Sequence, residues 1–147
     1  METLSYEIVI NASKEKIWSV LFDEATYSEW TKFFSEGSVM RSDWEIGGKT
    51  YFLNGSGEGM VSTIEDFDKP NLITFKHLGM VDKDGNEDTE SMEVKQWSGS
   101  FERYYLIDLE GKVKLHIEVQ IDKAHHDYMN EAFPKGLQVV KNLSEAE

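Results

Sequence analysis

The chain has 147 residues with 28 acidic against 15 basic side chains, and its formal net charge of −13 speaks against nucleic acid or an anionic membrane surface as partner. It has no cysteine, which excludes disulfides, thiol catalysis and thiolate metal sites and fits a reducing, cytoplasmic setting. With 39% hydrophobic and 12% aromatic residues it is expected to fold as one domain over residues 1–147, burying roughly two-thirds of its unfolded surface.

The start, "METLSYEIVINAS", lacks the basic residues and apolar run of a leader, and no stretch of about 18 apolar residues predicts membrane insertion. Leu4, Tyr6, Ile8 and Ile10 alternate as a first strand. Ser13 is placed to cap a helix through Phe22, with Ile17, Trp18, Leu21 and Phe22 on one face. Tyr27, Trp30, Phe33 and Phe34 continue at helical spacing, and Trp18 and Trp30 read as core. Strands are then expected near 36–43, 48–54, 58–67, 71–79, 97–109 and 112–121, separated by turn signals such as "IGGK", "NGSGEG", "DKPN" and "DKDGNED". The "NGSGEG" run lacks the lysine and hydroxyl residue of a phosphate loop and reads as a hairpin turn. Ser98, Gly99 and Ser100 are expected inside a strand, marking a bend that helps the sheet curl. After Asp122 the pattern turns helical to about Leu143, with Met129, Phe133, Leu137, Val140 and Leu143 in one stripe and Pro134 expected to kink or restart the helix.

The last two strands fix a register. A two-residue turn at Glu110-Gly111 pairs 109 with 112, 106 with 115, 104 with 117 and 102 with 119. Leu106, Tyr104 and Glu102 then face inward with Leu115, Ile117 and Val119, while Arg103 meets Glu118 on the outer face. An inward glutamate calls for a partner, which Tyr104, Arg41 or a backbone amide could supply, or for a cavity. A three-residue loop would reverse the parity.

The order is strand, two short helices, six antiparallel strands and a long helix, an α+β class. A bent sheet of this size cannot fill its own concave face, so the last helix is expected to cover it and leave a cavity between. This order, with "INASKEKIWSVL", "YSEWTKFF", "WEIGGKTYF", "KPNLITFKHLG", "WSGSFERYYL" and "FPKGLQVVKNLSE", resembles the START-like superfamily (SRPBCC, the helix-grip fold of the birch pollen allergen). Within it the chain is most similar to the branch related to the heat-shock-protein-90 ATPase activator. The resemblance implies a curved antiparallel sheet of about seven strands wrapped on a long C-terminal helix, with two short helices after the first strand.

The expected cavity lining is Tyr51, Met60, Phe75, His77, Trp97, Glu102, Tyr104, Leu106, Leu115, Ile117, Met129 and Phe133. Glu102 and His77 are the candidates for proton transfer or for anchoring a ligand's polar end. His116 is expected on the outer face, and His125 and His126, as sequence neighbours, splay apart rather than share a metal. No metal site and no cofactor are expected. The first functional reading is a binder of a small hydrophobic or amphipathic molecule, lipid-like or aromatic. The second is a cyclase, isomerase or hydrolase using Glu102 and His77 in the same cavity. The third, implied by the resemblance, is a co-chaperone or stress-response role through the surface. Full activators are similar to this chain in one domain only, and their second, partner-binding domain has no counterpart in it.

Overall fold

A computed structural model describes residues 1–146. Strand β1 (Glu2–Ile10) leads into helices α1 (Lys14–Phe22) and α2 (Glu24–Thr31). There follow β2 (Val39–Ser42), β3 (Thr50–Leu53), β4 (Gly59–Asp68), β5 (Leu72–Val81) and β6 (Glu87–Asp88). Helix α3 (Met92–Lys95), β7 (Phe101–Leu109), β8 (Lys112–Ile121), a 3₁₀ turn (Lys123–His125) and α4 (His126–Glu145) complete the chain. All strand pairs are antiparallel, in the order β1-β8-β7-β5-β4-β3-β2, with β6 attached to β5.

The hairpin register follows from its turn. Glu110 and Gly111 both have positive φ, 47° and 87°, the two-residue geometry whose twist matches the flanking strands. Glu102 therefore lies opposite Val119, Tyr104 opposite Ile117 and Leu106 opposite Leu115, with Arg103 against Glu118. Ser13 caps α1 by accepting from the Lys16 amide at 3.1 Å.

Two expectations are corrected: a strand from residue 97 and a helix restart at Pro134. The stretch before β7 is not strand: Ser91 caps the short α3, and Trp97 to Ser100 form the turn that enters β7 at Phe101. Gly99, at φ 93°, takes the positive angle that this turn requires. Beside the seven strands of the sheet's main path, the two-residue β6 lies so close to β5 that a Cβ at Gly79 would sit 2.1 Å from the Asp88 carbonyl oxygen. Finally, α4 runs through Pro134 without a break. Pro134 and Asn130, whose carbonyl loses its helical donor, are both exposed residues.

Helix α4 lies against α1, α2 and β1. Its close approach to α2 depends on Gly136, where a Cβ would stand 2.7 Å from the Trp30 carbonyl oxygen. Toward its C-terminal end, Leu137 and Val140 join Ile10, Ile17, Leu21, Leu115 and Ile117 in a fully packed core. Its first turns behave differently and leave space above the sheet.

Candidate functional site: a cavity with a carboxylate in its wall

The inward face of a strand is set by parity, and polar residues placed on it must find partners. On β4 and β5 a register shift changes the pairing from Val61 with Gly79 to Ser62 with His77, leaving Leu78 as the extra residue. This bulge brings Ser62 Oγ within 2.7 Å of His77 Nδ1. The His77 backbone is held on the other side by Ser100 and Gly99, with its amide donating to the Ser100 carbonyl and its own carbonyl accepting from the Gly99 amide, each at 2.8 Å. The imidazole edge carrying Nε2 is thereby turned toward Glu102, whose Oε1 lies 3.7 Å away. Tyr104, two residues along β7 on the same face, donates its hydroxyl to Glu102 Oε2.

The inward glutamate is thus held by a tyrosine and faces a histidine. Its side chain keeps 19% of its surface exposed, against 7% for His77, because it borders a cavity of about 600 Å³. The cavity opens between the β3–β4 turn, α2, α3 and the start of α4. Trp30, Phe34, Phe52, Trp97, Tyr104 and Phe133 form its aromatic wall, with Met60 and Met129 as adaptable thioethers. Edge-to-face contacts fix that wall: Phe34 meets Phe133 at 4.8 Å between centroids, and Phe52 meets His77 at 5.8 Å. At the mouth, the Tyr128 hydroxyl donates to the Phe34 carbonyl, His126 Nδ1 contacts a Glu2 carboxylate oxygen, and Tyr6 donates to Asn130 Oδ1 at 2.6 Å. These contacts tie the first turns of α4 to the turn after α2 and to β1.

Burial, reinforced by the negative charge of Glu102, raises the Tyr104 hydroxyl well above its ordinary pKa. Tyr27, also in the lining, is raised by the same two causes in the same order. Both hydroxyls are therefore proton donors throughout the neutral range.

Of the residues expected in the lining, Met60, His77, Trp97, Glu102, Tyr104, Met129 and Phe133 border the cavity. Phe75, Leu106, Leu115 and Ile117 share their parity but lie further along the strands, sealed in the core. Tyr51 lies on the opposite face, where its hydroxyl donates to Glu87 Oε2 at 2.7 Å and Lys49 Nζ reaches Glu87 Oε1 at 2.8 Å. The inward residue of β3 is Phe52, which lies 5.1 Å from Phe75. Arg41, a possible partner for Glu102, is also on the outer side and exposed. There it borders a groove of about 830 Å³ under the Asp82–Gly85 turn, lined also by Lys49, Asp82 and Lys83 along with strand residues and loop glycines. That groove lacks the converging buried polar groups and apolar enclosure of a small-molecule site. His116 pairs with Glu7 at 3.2 Å on the outer face. Among the described residues, no group of three or more His, Asp or Glu is placed to hold a metal ion.

Ser62, His77 and Glu102 superficially form a hydrolase triad, and sequence reading did not identify Ser62. Its 0% exposure and its absence from the cavity wall remove it from any substrate, so it cannot serve as a nucleophile. The order is the reverse of an acyl-transfer site: the carboxylate faces the cavity and the serine lies behind. What the arrangement can do chemically is accept a proton or hydrogen bond at Glu102 and donate from Tyr104, Tyr27 or His77.

The profile of the family described as Activator of Hsp90 ATPase homolog 1-like protein matches residues 11–139. No curated protein sequence matches the chain. Among solved structures, the Aha1 dimer of Colwellia psychrerythraea is similar over 99% of this chain and 96% of its own, with a TM-score of 0.66 and 16% identity. Protein MLL2253 of Mesorhizobium loti aligns over 97% and 96%, at TM-score 0.72 and 12% identity. CalU16 of Micromonospora echinospora aligns over 97% of this chain and 65% of its own, at TM-score 0.66 and 12% identity. These likenesses describe the fold, a curved sheet gripping its last helix, and the profile match covers most of the sequence. The chain belongs to the family of Activator of Hsp90 ATPase homolog 1-like proteins.

Proposed function

We propose that this protein binds a small hydrophobic or amphipathic molecule in the cavity between the sheet and the first turns of α4. The observation that carries the reading is Glu102, a carboxylate bordering an otherwise aromatic cavity of about 600 Å³. A closed core would have excluded it or neutralised it with a cation, whereas a binding site uses such a group to orient a ligand. In this reading Glu102, His77 and Tyr104 fix the polar end, and Trp97, Phe52 and Phe133 hold the apolar body. Native mass spectrometry of the purified protein against its denatured mass tests it. A mass adduct that disappears on denaturation supports a carried ligand. Failure of both the purified protein and added apolar probes to give any bound species contradicts it.

Family membership favours a second reading, a co-chaperone role exerted through the surface. It predicts stimulation of a chaperone ATPase that survives filling of the cavity. Catalysis in the same space is the third reading, motivated by the 3.7 Å approach of His77 to Glu102. For any substrate found, Glu102→Gln should then lower turnover by ~10²-fold or more, while a binder keeps much of its affinity.

A further inference from the structure

The carboxylate side chains bordering the cavity, Glu58, Glu93, Glu102 and Asp122, have no lysine or arginine among them. Among the described residues, none of these carboxylates forms an ion pair with a lysine or arginine. Several basic side chains pair with other carboxylates: Lys14 with Asp108, Lys49 with Glu87, and Lys114 with Glu7. Glu102 has one oxygen occupied by the Tyr104 hydroxyl, while Oε1 has only His77 Nε2 nearby, at 3.7 Å, beyond hydrogen-bond reach. That oxygen is an open acceptor in the wall of a cavity that Phe52 and Trp97 also line.

A ligand's own anion meets a poor environment here. Its charge would lose water, meet no lysine or arginine in the wall and stand near the Glu102 carboxylate. A ligand ammonium meets the reverse: a free carboxylate oxygen to accept a charge-assisted hydrogen bond, aromatic faces that attract cations, and a net charge of −13 that draws it in.

From this charge pattern and cavity wall we infer that the ligand class is a hydrophobic organic cation, an aromatic or alkyl amine whose ammonium contacts Glu102 and whose apolar body lies among the aromatic residues. Fatty-acid and other carboxylate ligands are selected against. This inference rests on the binding reading above and narrows it.

Calorimetric titration with three probes of one shape separates the two: 2-naphthylmethylamine, 2-naphthylmethanol and 2-naphthoate. The amine is expected to bind about tenfold or more tighter than the alcohol, and the alcohol tighter than the naphthoate. In Glu102→Gln, which keeps the acceptor for Tyr104, the preference of amine over alcohol should shrink to about threefold or less while the alcohol's affinity stays near that of the unaltered protein. Naphthoate binding as tightly as the amine overturns the inference and leaves the binding reading standing. An amine preference that survives Glu102→Gln, and also Glu93→Gln at the mouth, overturns it too, by locating the selectivity outside these carboxylates. If none of the three binds, the binding reading falls and takes the inference with it.

Discussion

Two halves of one concave face, built from the same alternating strands, end in opposite states. In one half, Leu106, Leu115 and Ile117 meet α1 and the C-terminal part of α4 and are almost wholly buried. In the other, Met60, His77 and Glu102 look toward the first turns of α4 across open space. Along β7 and β8 strand parity is the same in both halves. The difference comes from the cover: Gly136 lets α4 approach α2 to backbone contact, while toward the helix start Phe133, Met129 and Tyr128 border open space. The polar residues collect where the cover is incomplete, which is where water or a ligand can satisfy them.

This contrast can be broken by substitution, and the effects on stability should fall in a definite order. Leu115→Ala, in the sealed half, removes packing with no room to collapse and is expected to cost ~2–5 kcal/mol in chemical denaturation. Ser62→Ala leaves His77 Nδ1 without its partner behind the cavity and should cost ~1–3 kcal/mol, the penalty for stranding a buried polar atom. Tyr104→Phe deletes the donor to Glu102 and should cost ~1 kcal/mol near neutral pH.

The same variant carries a pH signature. The folded-state pKa of Tyr104 is raised above the ordinary 10.0, so above that pH the unfolded chain loses a proton that the folded protein keeps. Its contribution is fully present below pH 10.0 and is lost as pH rises beyond it. Removing it by Tyr104→Phe should flatten the alkaline decline in stability, followed by urea midpoints at increasing pH. An unchanged alkaline limb would show that Tyr104 is not buried as described. The smallest stability change is expected for Met60→Trp, within ~1 kcal/mol, because the new ring enters space that is already open. It should nevertheless abolish binding of apolar probes measured by calorimetry. Leu115→Trp would be the wrong variant for that purpose, since Leu115 lies in the sealed half and the substitution would overpack the core.

Much of this contrast is legible in the sequence, and the illegible parts have physical causes. The Glu110-Gly111 turn sets the parity of the last hairpin, so the inward direction of Glu102 and Tyr104 follows from local chemistry. Depth along a strand does not follow from parity, which is why Leu106, Leu115 and Ile117 read as cavity wall and prove to be core. Tyr51 and Phe52 sit in an unbroken apolar run, "YFL", with no alternation to show which faces inward. The Ser62–His77 contact arises from a bulge at Leu78, and a one-residue register shift between distant strands leaves no periodic trace. The α3 turn does carry a signal, Ser91 at a capping position ahead of Val94, although Trp97 stands just before the alternation that begins at Phe101.

The most direct test of the contrast is methyl chemical-shift mapping during titration with 2-naphthylmethanol. The account predicts concentration-dependent shifts at the Met60, Met129 and Val119 methyls, with Leu106, Leu115 and Val140 still. Shifts confined to Val39 and Val81 of the outer groove, or no saturable shift at any methyl, would contradict it.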